Sequence, residues 1–259
     1  MSPDTYELTK SIKEYATKDF PWIHAGADLV GFVSVESINE IEPYWVDYYS
    51  AYTRKPTDYM EEGRSVIVLG YHAWDDLCEA FTIKGDRFEA FGYARGYHGS
   101  ERLVSHLKKK GYKATGAAGL PMKQLAILAG LGSYGKNSLI INPKYGPWIR
   151  LNAVLTDAVL DYDEPFVDDL CGDCESCVEA CPTGALAPYK VDHSLCMASL
   201  HDEEWLRLFS GTSSFEDVRA VENGDTLFKE HSPMLTDNTY LLCMTCQRAC
   251  PHGREERGL

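Results

Sequence analysis

Near the start of the chain apolar residues recur every three to four positions. Leu8, Ile12 and Tyr15 stand among Lys and Glu, which predicts an amphipathic helix over residues 4–19. The period then changes. GADLVGFVSVES (26–37) predicts a turn and a strand, and RSVIVLGYHAW (64–74) is a continuous apolar run of the kind found in strands buried on both faces. Between them, residues 38–63 are rich in aromatic side chains and irregular, with short helical pieces. Residues 86–111 predict a helix whose start is blurred by glycines and which ends near Gly111, with a strand over 112–118. PMKQLAILAGLG carries Pro121 at its opening and Gly130 and Gly132 at its close, the usual punctuation of a short helix. NSLIINPKYGPWIRLNAVLTDAVL predicts two strands joined by a turn near Asn142–Gly146. Helices alternating with strands through residue 162 predict an α/β or α+β core domain.

After about residue 163 strand signals vanish and acidic residues and cysteines dominate. VDHSLCMASLHDEEWLRLF (191–209) and SSFEDVRAVENG (213–224) predict helices on an acidic surface. The boundary expected at 162/163 separates a first domain, 1–162, from a second, 163–259. CGDCESCVEACPTGAL (171–186) carries two C-x2-C steps and a C-x3-C-P step, too tight for mutually bridged disulfides but well spaced for thiolates around a cubane. In the bacterial ferredoxin run the fourth cysteine serves a second cluster, so a second set of thiols is expected. CMTCQRACPHG supplies it, with Cys196 as the remaining member. By the crossing rule one [4Fe–4S] cluster takes Cys171, Cys174, Cys177 and Cys250, and the other takes Cys181, Cys196, Cys243 and Cys246. A pair of structural zinc sites is the alternative, but zinc knuckles do not need two Cys-Pro endings. Cys78, left over, reads as a small hydrophobe. The histidines outside the segment 92–98 show no metal-binding spacing.

The formal net charge of −14 disfavours nonspecific binding to nucleic acid or anionic membrane, so neither is expected as a partner. The first twenty residues contain no apolar signal core, and no stretch approaches a membrane span, so a cytoplasmic protein is expected. Nine cysteines in a reducing compartment point to metal rather than disulfides.

The loop GLGSYGKN can be read on its own residues. Its glycines allow a backbone to pass close to a planar ligand or a phosphate, exposed N–H groups bind anions, and Lys136 could neutralise a phosphate. It does not match a P-loop. Taken with RSVIVLGYHAW, GYARGYH (92–98), LAGLGSYGKNSLIINPKYGPWIRLNAVLTD (128–157) and both cysteine motifs, it resembles one family: the epoxyqueuosine reductases and their relatives the reductive dehalogenases. That resemblance covers nearly the whole chain. It implies an α+β fold, with a nitroreductase-like cobalamin-type domain followed by a bacterial ferredoxin-like module of two [4Fe–4S] clusters. It implies cobalamin as a further cofactor, with Gly132, Ser133, Tyr134, Gly135, Lys136 and Asn137 as its binding loop. Tyr97, His98 and Tyr134 are the candidates to face the ligand and move a proton.

The departures matter too. The family's proton-donating Asp falls on Gly116, its Arg falls on Lys123, and the repeat region of many tRNA-acting members does not follow CPHGREERGL. The expectation is therefore an iron–sulfur oxidoreductase, corrinoid-dependent, fed by a low-potential donor such as ferredoxin or flavodoxin and acting on a small molecule. An activator protein that reduces the corrinoid or flavin of a partner is the second reading. An epoxyqueuosine reductase with a relocated acid is the third.

Overall fold

The computed structural model describes residues 3–19, 24–42, 55–84, 87–117, 119–192, 195–198 and 230–257. The helix expected over 213–224, most of the one over 191–209, and part of the aromatic-rich stretch lie outside the described residues.

Helix α1 (Pro3–Ala16) opens the chain, as its periodicity predicts. The central sheet is built from β1 (Leu29–Ser34), β2 (Ser65–His72), β5 (Ala114–Gly116) and β8 (Ile149–Thr156), in the order β1-β2-β8-β5. Every neighbouring pair is antiparallel, which makes the domain α+β rather than α/β. All eight residues of β2 are buried, because apolar layers cover both faces of the sheet. Val66 and Val68 point into one core with Val35, Ile38, Leu125 and Leu155. Ile67, Leu69 and Tyr71 point into the other with Ile12, Phe32, Leu103 and Leu107. The first core is closed by α2 (Val35–Asn39) and α5 (Met122–Leu128), the second by α1 and α4 (Phe91–Lys109). Fully burying each such leucine contributes about 2 kcal/mol.

The glycines that blur the start of α4 have a packing cause. A Cβ at Gly99 would sit 2.0 Å from Tyr71 Oη, and one at Gly96 would sit 2.3 Å from Asn152 Nδ2. Only hydrogen at these positions lets the helix backbone lie this close to the sheet.

Two expectations are corrected. The strands read on either side of Asn142–Gly146 do not pair with each other. β7 (Ile140–Ile141) pairs with β6 (Ser133–Tyr134), β8 enters the central sheet, and a single bridge, Asn142 to Gly146, closes the turn. Residues 87–90, read as part of the start of a helix, instead form β4 (Arg87–Ala90), which pairs with β3 (Ala80–Lys84). That hairpin continues through β12 (Thr239–Leu241) into β11 (Met234–Thr236). Thr82 and Thr239, 157 positions apart, share a hydroxyl hydrogen bond of 2.8 Å across the junction. Trp148, Ala73, Ala80, Leu241 and Met244 form a third core, against which Cys78 packs as a small hydrophobe. Met244 lies between Cys243 and Cys246, so this core anchors the second cysteine motif to the first part of the chain.

Candidate redox centre

Two one-turn helices carry the motifs. α6 (Ser176–Glu179) follows Cys174 and holds Cys177, and α7 (Thr245–Ala249) holds Cys246. After α7, Cys250 and Pro251 continue to His252, whose Nε2–H donates to the Leu170 carbonyl at 2.8 Å. This bond pins the end of the second motif beside the start of the first. The result is a cavity lined by Cys171, Cys174, Cys177, Cys250, Pro251, His252, Asn137 and Ile141. Among the described residues no three His, Cys, Asp or Glu converge closely enough to hold a single metal ion. The four thiols instead surround a volume, as the ligands of a cubane must and those of a mononuclear zinc site need not.

Burial pushes the Cys250 thiol up to about 11, with Cys171, Cys177 and Cys174 adding to it. Cys177 is raised by burial and then by Cys171. Cys174 is lowered instead, by its hydrogen bonds with the side chain and backbone of Ser176. Burial also pushes Cys246 up to about 12, with Cys243, Cys196, Cys177 and Cys181 adding in that order. Those four residues and Cys246 therefore share one electrostatic neighbourhood, and Cys177 is the member of the first set that reaches the second. Thiols held this far up bind no metal until their protons leave, so loading must release protons.

The glycine loop sits on this cavity. Ser133 Oγ accepts from Leu170 N–H at 3.4 Å, and Lys136 N–H donates to Cys171 Sγ at 3.4 Å. The Lys136 side chain is 8% exposed and its Nζ lies 3.5 Å from Glu175 Oε1. Lys136 therefore has a carboxylate partner beside the thiols. Gly132 and Gly135 are required by the chain itself: a Cβ at Gly132 would sit 2.2 Å from Ile141 O, and one at Gly135 would sit 2.6 Å from Ile141 Cγ1. Tyr134 is half-buried, with Lys123 Nζ 6.0 Å above its ring.

Tyr97 and His98 are exposed on α4 and do not line the thiol cavity. Gly116, at the end of β5, faces open space. A Cβ there would have one neighbour within 4 Å, Glu101 Oε1 at 3.9 Å. Tyr97 and Glu101 lie one turn apart on α4.

Sequence reading missed His252 and Ile141 as walls of the cavity, and it missed a clamp on the second motif. Asp76, in the 3₁₀ turn Asp76–Glu79, pairs with Arg248 of α7 and, at 3.1 Å, with Arg257. The Arg257 guanidinium lies 3.5 Å over the Trp148 ring. No spacing links residues this far apart, so only the fold could have found them.

Comparison with known proteins bears on the same residues. A family model described as "4Fe-4S double cluster binding domain" matches residues 170–253. Across 97% of its length the chain is 33% identical to the epoxyqueuosine reductase of Vibrio cholerae, of which it covers 68%. It is 26% identical to that of Staphylococcus aureus and spans 66% of that relative's length. Among solved structures, an epoxyqueuosine reductase with an epoxyqueuosine-modified tRNA-Tyr stem loop superposes over 96% of this chain and 66% of that one, with a TM-score of 0.66 at 20% identity. A reductive dehalogenase, whose structure suggests a mechanism for B12-dependent dehalogenation, superposes over 88% of this chain and 36% of that one, with a TM-score of 0.54 at 18% identity. The fold is thus the α+β cobalamin-type domain of these enzymes with a double-cluster module, and two [4Fe–4S] clusters are its cofactors. Among the described residues no helix is long and apolar enough to cross a membrane.

Proposed function

Since the chain belongs to the epoxyqueuosine reductase family, and is an iron–sulfur reductase, we propose that it is cobalamin-dependent and removes the oxygen of an epoxide, with epoxyqueuosine in tRNA as the substrate class. The observation that carries this is the seat of the first thiol set. Cys171, Cys174, Cys177 and Cys250 open onto Asn137 and Ile141, so electrons held there would leave toward the first domain.

The sequence reading set nucleic acid aside because the chain is acidic, and a relative of the same fold holds a tRNA stem loop. Net charge is a weak guide where a local surface does the binding. We also propose the division at 162/163 as one of labour, with the corrinoid held by residues 1–162 and the clusters by 163–259. In this reading Cys171, Cys174, Cys177 and Cys250 ligate one cluster, and Cys181, Cys196, Cys243 and Cys246 the other.

The residues present fit a corrinoid. Tyr93 and Tyr97, one turn apart on α4, are each half exposed or more, and neighbouring aromatic faces left in solvent are the kind of surface a planar macrocycle would cover. The space at Gly116 is open on the same side as Tyr97 and Glu101. Residues 132–137 would form the wall between corrinoid and first cluster. When bound, the corrinoid supplies a strongly reducing, nucleophilic cobalt. Losing an epoxide oxygen to leave an alkene takes two electrons and two protons and releases water. The chain must deliver those protons, and Gly116 has none. Tyr97, His98 and Tyr134 are the proposed donors.

Titration of the anaerobic protein with cob(II)alamin, followed by electron paramagnetic resonance, should give a base-off signal, because no histidine here stands in a D-x-H-x-x-G context. Reduced, loaded protein should convert an epoxyqueuosine stem loop. No binding at micromolar cobalamin, or a flavin in its place, overturns the reading. Gly116 favours a second reading, an electron-transfer protein serving a partner's corrinoid. That outcome would show as no turnover with retained reduction of free cobalamin.

A further inference from the structure

The glycine loop carries two groups that neither an epoxide nor a corrinoid explains. Lys136 is a buried cation whose amide already donates to Cys171 Sγ. Asn137 is 5% exposed and lines the thiol cavity. Its Oδ1 accepts from Leu139 N–H at 3.1 Å, which fixes the orientation of the amide. Its Nδ2 is then left buried with no partner. A buried amide donor without an acceptor costs roughly what a lost hydrogen bond costs, unless the cavity it lines holds an acceptor. The sulfurs of a cluster are such acceptors.

We propose that Lys136 and Asn137 cap the first cluster, Lys136 by its charge and Asn137 by donating to sulfur, and so raise its reduction potential above that of the second. The proposal rests on Cys171, Cys174, Cys177 and Cys250 being the ligands of that cluster. Net charge, hydrogen bonds to sulfur and solvent exposure are the protein's levers on such a potential. Reduction adds negative charge, so a nearby cation and a fixed N–H donor stabilise the reduced form. The second set is differently placed. Hydroxyls lie near Cys243, at 3.6 Å, and Cys181, at 3.8 Å. The first set thus has a buried cation and an amide donor beside it where these two thiols of the second have neutral hydroxyls, in the direction that makes the first cluster the lower-energy resting place for an electron. The device would hold an electron beside the first domain rather than at the entry end.

The test is a potentiometric titration of the full chain, anaerobically reconstituted, with no corrinoid or substrate present. The first cluster's signal is identified by its loss in Cys171→Ala. Wild type should show the higher midpoint for that cluster. At the wild-type midpoint, Lys136→Met should lower the ratio of reduced to oxidised first cluster about tenfold, a shift of ~59 mV for one electron. Asn137→Asp keeps the acceptor for Leu139, replaces the donor by a carboxylate oxygen, and should shift the midpoint the same way. Glu175→Gln removes the partner of Lys136 at a half-exposed position and should raise the midpoint. The opposite sign separates charge tuning from general damage, and this variant carries the test if the other two fail to assemble. Wild-type midpoints in the reverse order, or an unchanged midpoint in Glu175→Gln with both clusters present, overturns the proposal. Should Cys171→Ala leave both clusters in place, the ligand assignment falls and the cap falls with it, while the epoxide reaction remains to be judged by turnover.

Discussion

Gly116→Asp places a carboxyl where the family's proton donor is expected. The structure tolerates it. The φ of Gly116 lies outside the left-handed region, so a side chain adds no backbone strain. The new Cβ would meet one atom, Glu101 Oε1 at the ordinary contact distance of 3.9 Å. Replacing glycine at a compatible position stabilises by about 0.4–1 kcal/mol through the unfolded chain. With Glu101 Oε1 this close to the new Cβ, the two exposed carboxylates would repel by up to about 1 kcal/mol in water. The two terms offset each other, and the variant should fold as the parent does. The same repulsion favours the protonated form of one carboxyl, which is the form a donor needs. A positioned general acid is worth roughly 10²–10⁴ in rate. Anaerobic single-turnover reduction of an epoxyqueuosine stem loop should therefore run at least ~100-fold faster in Gly116→Asp than in the parent. Gly116→Asn, of the same shape with no acid, should match the parent. Equal rates for the Asp and Asn variants would refute the reasoning, because position 116 would then lie away from the reacting carbon.

Anaerobic protein should carry about eight iron and about eight acid-labile sulfides, as two cubanes require. Cys250→Ala should damage the cluster held by Cys171, Cys174 and Cys177 and spare the one held by Cys243 and Cys246, as read by iron content and magnetic resonance. Asp76→Ala leaves the Arg257 side chain, 8% exposed, without its carboxylate, while the more exposed Arg248 pair matters less. The cost should be about 3 kcal/mol, mostly from Arg257, and should appear as faster cluster bleaching in urea. His72 is buried, stacks on Tyr145 at 4.5 Å, and is held below its ordinary value of 6.5 by burial. Its neutral form is thus favoured in the folded state, so its stabilising contribution is complete above pH 6.5 and is lost as pH falls below that value. Unfolding measured against pH should show that loss, and His72→Phe should flatten it.

Elements with a local cause were legible in the sequence. β2 announced itself because both of its faces are apolar, and the end of α4 near Gly111 because its basic last turn runs into a glycine. The cysteine spacing disclosed two clusters because cubane geometry repeats in the chain as short intervals. Elements with a distant cause were not legible. β3 and β4 depend on β12, and the turn at Asn142–Gly146 reads as a hairpin until β8 is seen to pair with β2 and β5. Lys136 shows the same limit within the site. Its type suggested a phosphate, and its setting beside Cys171 and Glu175 follows from how the loop packs on the first motif.

The position of Cys250 against Cys171, Cys174 and Cys177 also governs the order in which the protein can be made. On the proposed pairing, one cluster waits for Cys246 and the other for Cys250. Both therefore become completable within a few residues of synthesis, long after the central sheet has emerged. A nascent chain would hold a folded core and five waiting thiols from 171 to 196, with neither cubane closed. Iron delivery could then complete neither cluster until Cys246 has been made, and a stop anywhere between residues 197 and 242 would forfeit both clusters together. On that pairing, the chain between the motifs would be a loop closed by inorganic staples. Loop closure cost rises only slowly with length, so the acidic insert after Cys196 can vary in size with little penalty to the clusters that bracket it.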